Sequence, residues 1–262
     1  MTTRQGHALP PLQTTGLSRS FSGFKAVDGM SLSLHKSELL GLIGPNGAGK
    51  TTMFNMLAGS LPPSSGSICI HGRDVTGQDA RTRIGHGMGR SFQIPKPFPH
   101  MTVLENVLTG AQNQTGERLF GACFQPGRVR RDEHAAVEKA RGLLDFLLLS
   151  HLEGQMAAVL SGGQRKLLEL ARLLMADPDI LLLDEPAAGV NPSLLEQIMD
   201  RIVTLNTQHG KSILLIEHNM QMVGRLCSRV VVMAQGRELA QGCPDDVTRD
   251  PDVIRAYLGD AA

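Results

Sequence analysis

The chain contains 262 residues, 41% of them hydrophobic, and its 26 basic and 25 acidic residues give a formal charge of +1. This length fits one large domain or two unequal lobes, and the balanced charge argues against a nucleic-acid-binding protein, which usually carries a basic surface. No apolar run approaches the roughly 20 residues that span a bilayer. Residues 1–16 lack the apolar core of a signal peptide, so we expect a soluble protein.

Four cysteines stand at scattered positions: Cys69, Cys123, Cys227 and Cys243. They form no CxxC pair, which argues against a metal site and against a disulfide framework. We therefore expect reduced thiols in a cytosolic protein.

The N-terminal part of the chain predicts a tail, paired strands and a strand followed by a helix. Residues 1–14 are expected to form a flexible tail, and uneven alternation from Leu17 to Leu34 predicts short antiparallel strands. The apolar run 38–44 predicts a buried strand that ends at a glycine, and the run 50–60 predicts the helix after it. Residues 66–77 predict a further strand with a turn.

The middle of the chain, about residues 94–159, predicts a mostly helical insertion. It combines a polar stretch and the basic cluster 128–131 with apolar residues at helical spacing from Ala135 to Leu147.

The remaining residues alternate helices with buried strands. Ser161 is a natural N-cap for a helix with one apolar stripe, and Pro178 lies just past its end. A strand, a helix, a strand and a hairpin follow at residues 180–186, 191–210, 212–218 and 229–242, and the helix begins with Asn191 as its N-cap and a proline in its first turn. Apolar strands that alternate with helices predict an α/β fold with a parallel sheet covered on both faces.

The octapeptide GPNGAGKT at residues 44–51 matches the GxxxxGK[ST] pattern in full. Gly44, Gly47 and Gly49 allow the backbone to curl so that successive N–H groups point at phosphate oxygens. Lys50 supplies a mobile positive charge for the β- and γ-phosphates, and the hydroxyl of Thr51 can ligate Mg2+. The preceding strand and the following helix are the context that this motif requires.

Two adjacent carboxylates, Asp184 and Glu185, stand at the end of a buried strand. Because neighbouring strand side chains point in opposite directions, we expect Asp184 to act on Mg2+ or its water and Glu185 to polarise the attacking water. His218 ends another strand at the same sheet edge, where it is expected to contact the γ-phosphate. By itself, Gln93 is an ordinary polar loop residue.

The stretch LSGGQRK at residues 160–166 places two glycines in the first turn of a helix, where they provide no packing. Such an uncovered helix start is well suited to hold an anion through its free N–H groups and positive dipole end. The residues alone leave open which anion it holds.

These motifs together resemble the ATP-binding subunit of an ABC transporter, from about Leu17 to Leu258. LSGGQ matches the family signature and LLLDEP its Walker B strand, while Gln93 and His218 fall at its Q-loop glutamine and switch histidine. The resemblance implies an α/β P-loop NTPase (RecA-like) core with an antiparallel β subdomain and an inserted α-helical subdomain. The implied core covers residues 15–93 and 160–262, and the helical subdomain, about 94–159, leads into the signature helix.

The resemblance also implies a role for each site residue. Glu185, His218 and Gln93 would be catalytic. Thr51, Gln93 and Asp184 would bind Mg2+. ATP would contact Phe21 (or Phe24) through its adenine, and it would further contact Gly44, Pro45, Asn46, Gly47, Ala48, Gly49, Lys50, Thr51, Thr52, Ser161, Gly162, Gly163 and Gln164. Asn191 departs from the family, in which many members have aspartate at this position of the dimer seam.

In this family two copies face each other head to tail, and the signature helix of one meets the γ-phosphate of ATP held by the other. One phosphate loop and one signature per chain therefore imply a second ATP-binding subunit, identical or related. The resemblance also implies transmembrane permease subunits that dock at about residues 94–105, and indirectly a periplasmic substrate-binding protein. It implies a peripheral position on the cytoplasmic face of the inner membrane and no nucleic acid.

Five longer segments are similar to the ATPase for uptake of branched-chain and other hydrophobic amino acids, a group with members for amides and urea. They are GPNGAGKTTMFN, RSFQIPKPFPHMTVLENV, LDEPAAGVNP, LLIEHNM and DPDVIRAYLG. The lipopolysaccharide-export ATPase is the alternative within transporters, and a soluble ABC ATPase acting on DNA or ribosomes is the alternative outside them. The C-terminal PDVIRAYLG and the inserted segment 112–132 favour amino-acid uptake.

Overall fold

The computed structural model describes residues 9–91, 96–112, 114–117 and 125–258. The chain divides into two compact units. The first comprises Met1–Met88, Asp179–Glu185 and Ile202–Ala262, and the second comprises Gly89–Pro178 and Pro186–Arg201.

The described residues form β-strands and α-helices that alternate along most of the chain. The strands are β1 (Leu12–Phe21), β2 (Phe24–Leu34), β3 (Leu39–Ile43), β4 (Ser65–Ile70), β5 (Arg73–Asp74), β6 (Met88–Arg90), β7 (Ile180–Asp184), β8 (Ser212–Ile216), β9 (Arg229–Ala234) and β10 (Arg237–Gly242). The helices are α1 (Lys50–Leu57), α2 (Ala80–Gly85), α3 (Val103–Leu108), α4 (Pro126–Phe146), α5 (Gly162–Met175), α6 (Pro192–Thr207), α7 (Met220–Leu226), α8 (Pro244–Val247) and α9 (Pro251–Leu258). Within this part of the chain, no helix is long and apolar enough to cross a membrane.

A six-stranded sheet in the order β10-β9-β3-β8-β7-β6 forms the centre of the first unit. Of β6, only Met88 belongs to this unit. β9, β3, β8 and β7 are parallel to one another, and β10 pairs antiparallel with β9. Every residue of β3, β7 and β8 is buried, as expected for parallel strands covered on both faces. The predicted parallel α/β sheet is thus confirmed.

An antiparallel sheet in the order β2-β1-β4-β5 completes the strands of the first unit. β1 and β2 are ten and eleven residues long, so the prediction of short strands was wrong. The predicted tail is also too long, because Leu12 is buried and pairs with Leu34 and Ile70. The polar residues between Leu12 and Leu17 lie in a central strand, where pairing on both sides holds them.

Helix α1 packs in the core of the first unit, and a buried arginine caps its C-terminal end. Met53, Phe54, Met56 and Leu57 belong to a buried cluster that includes residues of both sheets. The Arg83 guanidinium, 1% exposed, donates hydrogen bonds to carbonyl oxygens of α1 and of the segment before α2, namely those of Met56, Leu57, Val75, Thr76 and Gln78. Two of these bonds reach carbonyls in the last turn of α1, of which that of Met56 also accepts from the Gly59 N–H at 3.2 Å.

The second unit is mainly helical. Its helices α3, α4 and α5 pack against one another, and 3-10 turns lie at Thr115–Glu117, Ser150–Leu152 and Ala157–Val159. Residues 160–178 and 186–201, which were expected in the core, belong to this unit instead. The apolar stripe of α5 explains this difference, because that stripe contacts α3 and α4.

Candidate active site

The phosphate loop links the end of β3 to the start of α1, and its backbone geometry requires glycine. Gly44 and Gly49 have φ angles of 146° and 99°, values that favour glycine. A Cβ atom at Gly44 would lie 2.1 Å from the carbonyl oxygen of Met233, and one at Gly49 would lie 2.2 Å from that of Ala26. At Gly47, by contrast, no described heavy atom lies within 4 Å of a Cβ position. The loop is therefore tightly packed at its ends and open in its middle.

Helix α1 begins with free backbone donors beside a lysine that folds over the loop. Gly49 is the N-cap residue and has no side chain to cover the N–H groups of the first turn. The Lys50 Nζ atom donates hydrogen bonds to the carbonyl oxygens of Gly44 at 2.7 Å and Pro45 at 2.9 Å. Burial lowers the pKa of Lys50 below its usual value, and the nearby Glu185 carboxylate offsets only part of this shift. The predicted phosphate-binding charge thus lies at the loop and close to the predicted base.

The predicted Mg2+ ligands in the first unit are Thr51 and Asp184. Thr51 is exposed in the first turn of α1, whereas Asp184 ends β7 and is 4% exposed. Among the described residues, no group of three or more histidines, cysteines or carboxylates could hold a metal ion by itself. One hydroxyl and one carboxylate suit Mg2+ that arrives with a nucleotide, because phosphates and waters then complete its coordination. The third predicted ligand, Gln93, lies outside the described residues.

Glu185 immediately follows β7 in a strained backbone conformation. Its φ angle is 48°, unusual for a residue with a side chain, and such a conformation costs about 1–3 kcal/mol. Its N–H donates to the Ile216 carbonyl oxygen at 3.0 Å, which holds it beside β8. Its side chain is 18% exposed, so Asp184 and Glu185 occupy different environments. Strain of this kind at a partly exposed carboxylate is typical of functional sites.

His218 lies next to Glu185 at the carboxyl end of the sheet. Its Nδ1 atom is 3.4 Å from Oε1 of Glu185, and its side chain is 57% exposed. The predicted strand 212–218 is too long, because β8 ends at Ile216. The buried Glu217 carboxylate accepts hydrogen bonds from the N–H groups of His218 and Asn219, at 3.2 and 3.4 Å. Sequence reasoning missed this support for His218, although a carboxylate directly after a buried strand was a readable signal.

In the second unit, Ser161 caps helix α5 as predicted. Its Oγ accepts a hydrogen bond from the N–H of Gln164 at 3.3 Å, and the Gln164 Oε1 accepts one from the N–H of Ser161 at 2.9 Å. At Gly162, which is exposed, no described heavy atom lies within 4 Å of a Cβ position. A Cβ atom at Gly163 would lie 2.0 Å from Cδ2 of Leu194. Gly162 therefore leaves the start of α5 open, and Gly163 permits close packing of α5 against Leu194.

Helix α5 also contacts the chain segment that directly follows Glu185. The Lys166 Nζ atom donates to the carbonyl oxygen of Pro186 at 3.3 Å, and Gly163 packs against Leu194 near the start of α6. Asn191 caps α6, as predicted, by accepting a hydrogen bond from the Leu194 N–H at 2.9 Å. The signature helix and residues 186–194 therefore form one packed element.

The two candidate adenine-stacking residues, Phe21 and Phe24, face each other across the β1–β2 turn. Both are exposed, and the Arg19 guanidinium lies 4.9 Å from the centre of the Phe21 ring. The Phe21 side chain is less exposed than that of Phe24, and the planar Arg19 guanidinium lies over its ring.

Within the first unit, Lys50, Glu185 and His218 lie close together beside the glycine-rich phosphate loop. A family model described as "ABC transporter" matches residues 27–188. This chain belongs to the ABC transporter family. Its predicted P-loop NTPase fold and its assignment to the ABC ATPases are thereby confirmed. A second model, described as "Branched-chain amino acid ATP-binding cassette transporter", matches residues 237–262.

Curated relatives of this ABC ATPase cover almost its whole length. It is 41% identical over 253 residues to the high-affinity branched-chain amino acid transport ATP-binding protein LivG of Salmonella typhimurium, covering 96% of this chain and 99% of the relative. It is 38% identical over 252 residues to the corresponding protein BraF of Pseudomonas aeruginosa, with the same coverages. A probable LivG of Archaeoglobus fulgidus is 41% identical over 248 residues, 95% of each chain.

Solved structures show the same fold. A nucleotide-free ATP-binding cassette from an ABC transporter superposes with a TM-score of 0.84 at 37% identity, covering 96% of this chain and 100% of the other. The ADP conformation of the cassette MJ1267 gives a TM-score of 0.82 at 35% identity, with the same coverages. One solved cassette that is 35% identical to this ABC ATPase is thus described in an ADP conformation.

Proposed function

We propose that this ABC ATPase powers the uptake of branched-chain or related hydrophobic amino acids, with amides or urea as the alternative cargo within the same transporter group. The observation that carries the proposal is the match of residues 237–262 to the branched-chain family model, because the phosphate loop and signature do not report cargo. The names of the relatives reported above agree with it. None of them names lipopolysaccharide export, so that alternative is not favoured.

The phosphate loop would hold the triphosphate of ATP in the first unit. The N–H groups at the start of α1 would face the β- and γ-phosphates, and Lys50, which now contacts the Gly44 and Pro45 carbonyls, would contact phosphate oxygens instead. Thr51 and Asp184, with Gln93, would hold Mg2+, which offsets phosphate charge when bound. The exposed ring of Phe21, or that of Phe24, would stack on the adenine.

Glu185 would act as the general base. Its carboxylate accepts a proton from the attacking water as the water oxygen bonds to the γ-phosphorus, and the bond from that phosphorus to the leaving ADP oxygen breaks. His218, beside Glu185, would orient the water and the γ-phosphate. The strained backbone and the hydrogen bond to Ile216 would hold the Glu185 carboxylate in one position, which suits a base that must lie next to the attacking water.

The start of α5 would bind the γ-phosphate of ATP held by a second cassette, identical or related. Ser161 and Gln164 cap each other, and the open surface at Gly162 leaves backbone N–H groups accessible. A helix of this length presents a positive dipole end there, and Ser161 adds a hydroxyl. ATP would thus join two cassettes, and hydrolysis would release them.

An exposed apolar surface in the second unit would dock on the transmembrane permease. It contains Phe98, Met101, Met156 and Val159, all exposed. The buried Asn106 side chain holds the 98–102 segment by hydrogen bonds to the backbone of Phe98, Met101 and Thr102. The cassette would then lie on the cytoplasmic face of the inner membrane, with a periplasmic substrate-binding protein as an indirect partner and without nucleic acid.

Reconstitution with its permease and binding protein in liposomes tests the proposal. We expect leucine, isoleucine or valine to stimulate ATP hydrolysis and to accumulate in the lumen. Glu185→Gln should retain ATP binding, lose hydrolysis and accumulate as a dimer in MgATP, because an amide cannot accept the proton. Stimulation by an unrelated solute alone would contradict the cargo, and normal turnover by Glu185→Gln would contradict the role of Glu185.

A further inference from the structure

The end of β8 holds the backbone of Glu185 and the backbone of His218 through two adjacent residues. The Ile216 carbonyl oxygen accepts a hydrogen bond from the Glu185 N–H at 3.0 Å. The next residue, Glu217, is 1% exposed. Its Oε2 atom accepts hydrogen bonds from the N–H groups of His218 at 3.2 Å and Asn219 at 3.4 Å. One strand end therefore ties down the proposed base through a carbonyl group and the histidine through a buried carboxylate.

The Glu217 carboxylate acts where the pairing of β8 stops. The register of β8 with β3 and with β7 runs to Ile216, the last residue of the strand. One oxygen that accepts two successive N–H groups fixes the direction in which the chain leaves the sheet. Asn219 then caps α7 by accepting a hydrogen bond from the Met222 N–H at 3.1 Å. The backbone at His218 is thus held on both sides.

The His218 side chain is fixed much less by packing than its backbone is by hydrogen bonds. It is 57% exposed, and its Nδ1 atom lies 3.4 Å from Oε1 of Glu185. An imidazole that is more than half exposed has few neighbours to confine it, so its place beside Glu185 depends on the backbone that carries it. Glu217 is the buried side chain that binds this backbone.

We propose that Glu217 is a positioning residue for ATP hydrolysis, which fixes His218 relative to Glu185 and so aligns the attacking water with the γ-phosphate. Groups that act through geometry lose much of their effect when they are displaced, since about 1 Å of misplacement costs up to about 100-fold in rate. Glu217 needs no contact with the nucleotide for this role. The inference rests on the proposed catalytic roles of Glu185 and His218.

The variants Glu217→Met and Glu217→Gln separate the hydrogen-bond acceptor from the negative charge. Methionine keeps the chain length and removes the acceptor, whereas glutamine keeps an acceptor oxygen and removes the carboxylate. In the reconstituted transporter we expect kcat to fall about 10- to 100-fold in Glu217→Met and to stay within about threefold of wild type in Glu217→Gln. The Kd of the purified cassette for MgADP, which lacks the γ-phosphate, should match wild type in both variants. Glu217→Val repeats the test with a smaller apolar side chain if Glu217→Met does not fold.

A double-mutant cycle with His218→Ala distinguishes positioning from a general structural role. The readout is the rate of single-turnover ATP hydrolysis. If Glu217 acts through His218, Glu217→Met should lower this rate no further in the His218→Ala background. An equal loss in both backgrounds would overturn the inference.

Two results of the single variants would also overturn it. One is a wild-type kcat in Glu217→Met, and the other is a loss in Glu217→Gln as large as that in Glu217→Met, which would indicate a role for charge. Each of these outcomes leaves the ATPase function standing. Failure of the wild-type transporter to hydrolyse ATP would instead contradict the proposed function.

Discussion

Replacing Arg83 by methionine tests whether a buried cation secures the C-terminal end of helix α1. The two α1 carbonyls that Arg83 contacts lie at short distances, 2.5 Å for Met56 and 2.6 Å for Leu57. Its three other acceptors lie in the segment before α2, where the Val75 carbonyl keeps a second partner in the Gln78 N–H and where Thr76 and Gln78 are partly exposed. Because one hydrogen bond to a charged group contributes about 2 kcal/mol, losing the two at α1 should lower the free energy of unfolding by about 4 kcal/mol.

The assay is urea unfolding at fixed temperature, together with a thermal midpoint that we expect to fall by about 8–16 °C in Arg83→Met. Arg81→Met is the matched control, since Arg81 is an exposed arginine of the same helix, α2. It should stay within about 0.5 kcal/mol of wild type. If Arg83→Met unfolds within about 1 kcal/mol of wild type, the reasoning about the α1 carbonyls is refuted.

Three further predictions use cheap substitutions or reagents. Gly162→Ala should leave the thermal midpoint unchanged, because the added methyl group has room in the monomer, but it should impair ATPase turnover and dimerisation because that group covers the start of α5. Gly163→Ala should instead lower the thermal midpoint, since overpacking against Leu194 costs about 1–3 kcal/mol. Gly49→Ala should abolish binding of a fluorescent ATP analogue, and normal affinity would contradict the packed loop. Burial raises the pKa of Cys227 to about 12, so iodoacetamide at pH 8 should label the exposed Cys243 and spare Cys227, as peptide mass spectrometry would show.

Short-range patterns predicted the central elements and the capped helices well. The apolar runs in β3, β7 and β8 are readable because a strand that is buried on both faces needs no polar residues, so its few consecutive residues are all apolar. The caps at Ser161 and Asn191 depend on a side chain and a backbone N–H only three residues away. These strands and caps are readable because the residues that indicate them are only a few positions apart in the sequence.

Features that depend on distant partners were not readable. Arg83 follows a run of polar residues and resembles a solvent-exposed arginine, and only folding brings the carbonyls of α1 to it. The polar residues Gln13 and Thr14 looked like part of a tail because the strand residues that pair with them lie 18 or more residues away. Likewise, the membership of α5 in the second unit follows from contacts with α3 and α4, which no local pattern encodes.

The bond from Lys166 to Pro186 and the contact of Gly163 with Leu194 have a consequence for paired cassettes. Under the proposed function, each copy would carry, on adjoining stretches of chain, the base for its own nucleotide and the helix start that meets its neighbour's. A displacement of residues 186–194 would then also move the start of α5. We therefore expect hydrolysis at one nucleotide of a pair to affect binding of the other.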